Sequence, residues 1–137
     1  MNKFVLDKND TILLIIDLQE RLMNAMADRE KVCKNAKLLL AAAETMGIPV
    51  VVSEQYPRGL GATLDIIREA LKEYKYIEKV QFSVFMPELT EYLEKLKRKT
   101  VIVAGSETHV CVFQTVRDLV AAQYNVHVAK DAVCSRF

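Results

Sequence analysis

The stretch Val101-Ile102-Val103-Ala104-Gly105-Ser106-Glu107-Thr108-His109-Val110-Cys111 decides how the chain is read. Its apolar, largely β-branched opening suits a buried strand, and the glycine and polar residues that follow suit a turn. A helix-patterned segment then begins at Val110, so a strand feeds a helix. Open α/β sheets gather ligands at such strand ends, where backbone N–H groups and the helix dipole lower a cysteine pKa. Cys111 is therefore a candidate nucleophile. Free cysteine is also among the most buried residue types, and position alone leaves that second reading open.

Two other strand ends carry chemistry. The run Thr11-Ile12-Leu13-Leu14-Ile15-Ile16 has the unbroken apolar character of a central parallel strand and stops at Asp17. Asp17 is also a sound helix N-cap for a short turn within residues 18–27. Lys79 ends the strand-like Tyr76-Ile77-Glu78. Alone it is an ordinary solvated lysine. An acid, an ammonium and a thiol, each at the carboxyl end of its own strand, can nonetheless meet over one sheet edge.

Around these points apolar runs alternate with amphipathic segments. Strands are predicted at residues 11–16, 48–53, 76–79, 100–104 and 126–129, and helices at 30–46, 63–74, 88–97 and 110–123. Val32, Ala36, Leu39, Leu40 and Ala43 fall at helical spacing in the first helix, with Gly47 as its C-cap and Pro49 just beyond. Pro87 suits the first turn of the third. Alternating strands and helices predict right-handed crossovers and an α/β fold, a three-layer αβα sandwich on a mostly parallel, Rossmann-like sheet.

With 137 residues, 51% hydrophobic and a formal charge of +1, the chain reads as a single domain over residues 1–137. The near-neutral balance shows no basic stripe, which argues against a nucleic-acid partner. No apolar run approaches membrane-spanning length and no leader pattern precedes the first strand, so no membrane and a cytoplasmic location are expected. Cys33, Cys111 and Cys134 lack paired spacing, so reduced thiols are expected rather than disulfides or a zinc knuckle. Cys33 and Cys134 read as structural. Gly59-Leu60-Gly61 lacks the strand, lysine and helix that would make a phosphate loop.

Three stretches together, Leu14-Ile15-Ile16-Asp17-Leu18-Gln19, Lys79-Val80-Gln81-Phe82-Ser83-Val84-Phe85 and Ala104-Gly105-Ser106-Glu107-Thr108-His109-Val110-Cys111, resemble the isochorismatase-like cysteine hydrolases. The stretches at 53–61 and 131–136, with Ser83, are more similar to the isochorismatase-domain-containing branch than to the nicotinamidases. The resemblance implies a catalytic triad of Asp17, Lys79 and Cys111. It implies a cis peptide between Ser106 and Glu107, with the backbone N–H groups of Glu107 and Cys111 as an oxyanion hole. The family pattern continues past Ser135-Arg136 with another helix and a sixth strand, which implies a sandwich shortened at its C-terminal end. Homo-oligomers are common in the family and are expected here.

The implied reaction is hydrolysis of a carbon–nitrogen, amide-type bond of a small molecule through a Cys111 thioester. Asp17 serves as general base and Lys79 holds its carboxylate. A catalytically idle binding or assembly module and an isochorismate-type vinyl-ether hydrolase are the alternatives. Nicotinamidases carry histidine metal ligands after the second strand, and residues 53–61 contain none, so no metal and no cofactor are expected. Gln19, Gln55, Tyr56, Phe82, Phe85, Thr108 and His109, with Arg58, are candidate pocket residues, each with loop packing as its other reading. His127, inside a strand pattern, reads as structural.

Overall fold

The computed structural model describes residues 4–136; residues 1–3 and 137 of the predicted domain lie outside them. Its sheet is built from β1 (Thr11–Ile16), β2 (Val50–Gln55), β3 (Lys75–Lys79), β4 (Thr100–Ser106) and β5 (Asn125–Cys134). All four pairings are parallel, in the order β3-β2-β1-β4-β5. Being central explains the unbroken apolar run of β1, all of whose residues are buried. The strand pleat divides them. Leu13 and Ile15 enter one core, whereas Ile12, Leu14 and Ile16 enter the other.

Helices cover both faces, giving the predicted three layers. The first core takes Val32, Ala36, Leu40 and Ala43 from α2 (Arg29–Met46), together with Ile67 of the single turn α4 (Asp65–Arg68). The second takes Leu89 and Leu93 of α5 (Pro87–Leu96) and Leu119 of α6 (Phe113–Ala121). Each valine, leucine or isoleucine among them, withdrawn from water, contributes about 1.5–3 kcal/mol before the entropy of ordering it. The short α1 (Glu20–Met23) and α3 (Pro57–Leu60) shape the loops after β1 and β2. No described helix is long and apolar enough to cross a membrane.

Differences from the predicted elements have local causes. The helix predicted at 63–74 is a single turn, α4, and Thr63 lies outside it. Both the Thr63 N–H and its hydroxyl donate to Glu54 Oε2, at 2.6 and 2.7 Å, and residue 63 also bridges to Gln19. The helix predicted at 110–123 begins as a π-helical turn, Thr108–Val112, before α6. Strand β2 starts at Val50 rather than 48, since the Ile48 N–H closes the α2 C-cap on the Ala43 carbonyl at 2.8 Å.

Gly105 lies opposite Ile16 in the β1–β4 register. With φ +131, it presents a face on which a Cβ would overlap the Ile16 carbonyl oxygen and stand 2.7 Å from the Ile16 nitrogen. Gly47, at φ +70, has nothing within 4 Å of an added Cβ. Gly105→Ala is therefore expected to destabilise by about 3 kcal/mol or more. Gly47→Ala, with strain alone to bear, is expected to cost about 1 kcal/mol. Urea unfolding midpoints of the two variants check the ranking, and equal losses would show that β4 has room to withdraw from β1.

Candidate active site

The end of β1 cannot continue as strand because Asp17 has φ +50, a left-handed turn that aspartate tolerates better than most residues. That turn leaves the carboxylate fully buried beside the end of β2. Ser53, opposite Ile16 in the β1–β2 register, donates its hydroxyl to Asp17 Oδ1 at 2.8 Å. The Ser106 hydroxyl donates to the Asp17 carbonyl at 2.8 Å. The acid is thus held through both its side chain and its backbone.

Lys79 ends β3, and its side chain has no solvent exposure. Its Nζ donates to Asp17 Oδ2 at 2.7 Å, to Gln55 Oε1 at 2.8 Å and to Cys111 Sγ at 3.5 Å. An ammonium has three protons, and these are three acceptors. Cys111 lies on the π-helical turn and is 5% exposed. The Val112 N–H reaches back to the Glu107 carbonyl at 3.2 Å, while the Thr115 hydroxyl donates to the Cys111 carbonyl at 2.7 Å. Side chains predicted from three separate strand ends therefore meet in one buried cluster.

The electrostatics of the thiol differ from the sequence expectation. Burial, with the Asp17 carboxylate adding to it, pushes the Cys111 thiol up to about 12 against the opposing pull of Lys79. The helix start does not make a resting thiolate. Cys111 is a protonated thiol beside a carboxylate. Burial also raises Cys33 and takes Cys134 to about 11. Both are buried, Cys33 on α2 and Cys134 at the end of β5.

The Ser106–Glu107 peptide is cis. Glu107 is 5% exposed. Arg136 donates to its carboxylate from its backbone N–H at 3.0 Å, Nε at 3.1 Å and a terminal nitrogen at 3.2 Å. Burial alone would raise this carboxyl, but the Arg136 contacts outweigh it and hold Glu107 below the usual range.

The candidate pocket residues divide. Gln19 is fully buried, and its amide is bonded to the Gln55 and Gly61 backbone rather than facing a cavity. Gln55 is turned to Lys79. Phe85 packs against the core beneath α5 and α6. Tyr56 and Phe82 are about half exposed, Arg58, Thr108 and His109 are exposed, and His109 Nδ1 lies 2.8 Å from the Ser135 hydroxyl. His127, on β5, is half-buried. Two cavities, of about 690 and 670 Å³, lie between α2 and the loop before β3 and along α2 and α4. Neither is lined by the Asp17–Lys79–Cys111 cluster. Among the described residues no group of three or more His, Cys, Asp or Glu side chains is placed to hold a metal ion.

Sequence reasoning missed the Ser53 hydroxyl contact to Asp17 and the side-chain contact between Glu107 and Arg136. A serine closing the apolar run Val50-Val51-Val52, level with the end of β1, was the available signal for the first. The Glu107–Arg136 contact joins residues 29 apart and had no local signal.

Comparison with known proteins places the chain in a family. The isochorismatase domain matches residues 11–137. The chain is 36% identical over 132 residues to the secreted isochorismatase effector Isc1 of Phytophthora sojae, covering 93% of this chain and 63% of that protein. It is 38% identical over 130 residues to isochorismatase domain-containing protein 1 of Danio rerio, covering 92% of this chain and 44% of that one. The chain thus spans less than two-thirds of these relatives. A Caenorhabditis elegans structure described as MAR1 ribonuclease superposes with a TM-score of 0.92 at 37% identity, over 96% of this chain and 68% of the other. The domain match and the superposition each cover nearly the whole chain, and the chain belongs to the isochorismatase family, with its hydrolase fold.

Proposed function

We propose that the protein is a cysteine hydrolase that cleaves a carbon–nitrogen, amide-type bond of a small molecule, with Asp17, Lys79 and Cys111 as its catalytic residues. The observation that carries this reading is the buried Lys79 ammonium, 2.7 Å from the Asp17 carboxylate and 3.5 Å from the Cys111 sulfur. Asp17 takes the thiol proton as Sγ attacks the carbonyl carbon. The carbonyl π electrons move to oxygen, and that oxyanion is received by the backbone N–H groups of Glu107 and Cys111. The C–N bond breaks as Asp17 returns the proton to the departing nitrogen, leaving a thioester and an amine. Water then gives a proton to Asp17 and attacks the thioester. The C–S bond breaks, Asp17 passes that proton to the departing sulfur, and the acid is released with the thiol restored. None of these steps draws on a metal or another cofactor.

A resting thiol suits this scheme, since the base is already adjacent and the lysine stabilises the anion that forms. The proposal extends to self-association, for which Tyr56, Val80, Phe82 and Phe113, each at least half exposed near the carboxyl rim, supply apolar surface. It also keeps the cytoplasm as the compartment, although one relative is named as a secreted effector. The ribonuclease name of the Caenorhabditis elegans structure supplies a second reading, which the formal charge of +1 and the fully buried Lys79 side chain do not favour.

Incubation with a panel of small amides, followed by intact-protein mass spectrometry, is expected to show an acyl adduct that maps to Cys111. Turnover of the responding amide should fall about 10³-fold or more in Cys111→Ala. An RNA substrate cleaved equally by parent and Cys111→Ala, with no amide turned over, would defeat the proposal.

The thiol also makes a stability prediction. Its folded pKa of about 12 lies above its ordinary 9.0. The folded state therefore retains a proton that the unfolded chain loses, and the stability from this group is intact below pH 9 and disappears as pH rises toward 12. Cys111→Ala lacks that loss, so its urea midpoint should fall less steeply than the parent's between about pH 8 and pH 11. Parallel curves would place the thiol in contact with water.

A further inference from the structure

We propose that Gln55 is a positioning residue: its side-chain oxygen holds the Lys79 ammonium between Asp17 and Cys111 and so governs how readily the Cys111 thiol releases its proton. The inference rests on the hydrolase reading of the site and adds a residue to it.

Gln55 and Lys79 are register partners on the parallel strands β2 and β3, so their side chains leave the sheet on the same face. Gln55 Oε1 accepts from Lys79 Nζ at 2.8 Å, while its Nε2 donates to the Val80 carbonyl at 3.0 Å. The carbonyl needs a donor and the ammonium needs an acceptor, so the two contacts together fix which end of the amide faces the lysine. Gln55 itself has no freedom to drift. Its backbone N–H donates to Gln19 Oε1 at 2.7 Å, and Gln19 Nε2 donates to the Gln55 carbonyl at 2.9 Å and the Gly61 carbonyl at 2.8 Å. Gln19 is fully buried two residues beyond Asp17, so the segment that carries the acid also clamps the residue that aims the ammonium.

Of the three contacts that Nζ makes, the one to sulfur is the longest and the weakest as a hydrogen bond. A buried ammonium that loses a neutral acceptor turns to recover another, and the sulfur contact is the first to be given up. The charged groups acting on Cys111 are Asp17 from β1 and Lys79 from β3, and they act in opposite directions. Displacing Lys79 leaves Asp17 unopposed, and the thiol becomes harder to ionise.

The test needs no substrate. Alkylation of Cys111 by iodoacetamide is followed across pH by peptide mass spectrometry in the parent, Gln55→Met, Lys79→Met and the double variant. Cys33 and Cys134 in the same digest serve as internal controls. Gln55→Met is expected to move the rising limb for Cys111 upward by about one pH unit, a tenfold slower reaction at a fixed pH on that limb. Cys33 and Cys134 should be unchanged. In the Lys79→Met background, Gln55→Met should add nothing, because its effect passes through the lysine. An equal effect in both backgrounds, or none in the parent where Lys79→Met has one, overturns the role of Gln55 and leaves the triad standing. No effect of Lys79→Met itself overturns both. Should Gln55→Met expose Cys33 and Cys134, Gln55→Asn, which keeps the amide but cannot reach the lysine, carries the same expectations.

Discussion

A lysine side chain with no access to solvent is the constraint around which this molecule is arranged. Removing an ammonium from water costs several kcal/mol, and only partners already in place offset that cost. Asp17 supplies the opposite charge from β1, Gln55 a neutral oxygen from β2, and Cys111 a sulfur from beyond β4. These meet only if β2 lies between β1 and β3 in the observed register, with Ser53 level with Ile16 and Gln55 level with Lys79. Strand order is thus tied directly to charge balance. A one-residue slip of β3 would turn the lysine to the opposite face and leave the aspartate buried without its cation.

The same packing explains why the charged and polar cluster sits at strand ends. Strand β1 is enclosed on both faces and paired on both edges, so its interior tolerates no polar side chain. Polar groups first become affordable where the pleat stops. Asp17 turns out of the strand with a positive φ, and Ser53 closes β2 beside it. Gly105, lacking a side chain, lets β4 approach the Ile16 backbone closely enough for the Ser106 hydroxyl to reach the Asp17 carbonyl. A tightly packed sheet therefore delivers preorganised hydrogen bonds to the acid.

How much of this was legible in the sequence follows from the range of each interaction. Period and composition marked β1, α2 and α5 and their capping residues, because those signals are local: a continuous apolar run, a helical stripe ending at Gly47, a proline opening a turn. The three strand-end residues were legible as a set, since topology alone brings strand ends together. The helix predicted at 63–74 is cut to one turn, and ahead of its start Thr63 is engaged by Glu54, a contact set by tertiary structure. For Gln19 and Gln55 the sequence leaves pocket lining and loop packing both open, because a glutamine beside a loop gives no sign of which backbone groups will claim its amide. The direction of the Cys111 shift was misread for a related reason. A helix start favours the thiolate, but burial and a neighbouring carboxylate dominate, and neither distance nor burial is visible in one dimension.

The π-helical turn completes the arrangement. Lys79 and Cys111 lie 32 residues apart, and the 3.5 Å between Nζ and Sγ must be maintained by something other than that contact. Thr115 links the two segments: its hydroxyl accepts the Val84 N–H at 2.9 Å, from the chain just beyond β3, and donates to the Cys111 carbonyl at 2.7 Å. With the Val112 N–H bonded back to Glu107, the turn is wider than an α-helical one and holds Cys111 on the inner face, where it is buried with Val112 in the second core. The sulfur is thereby presented to Asp17 and Lys79 by backbone bonds and apolar packing, so its approach to the charged pair does not depend on the thiol being ionised.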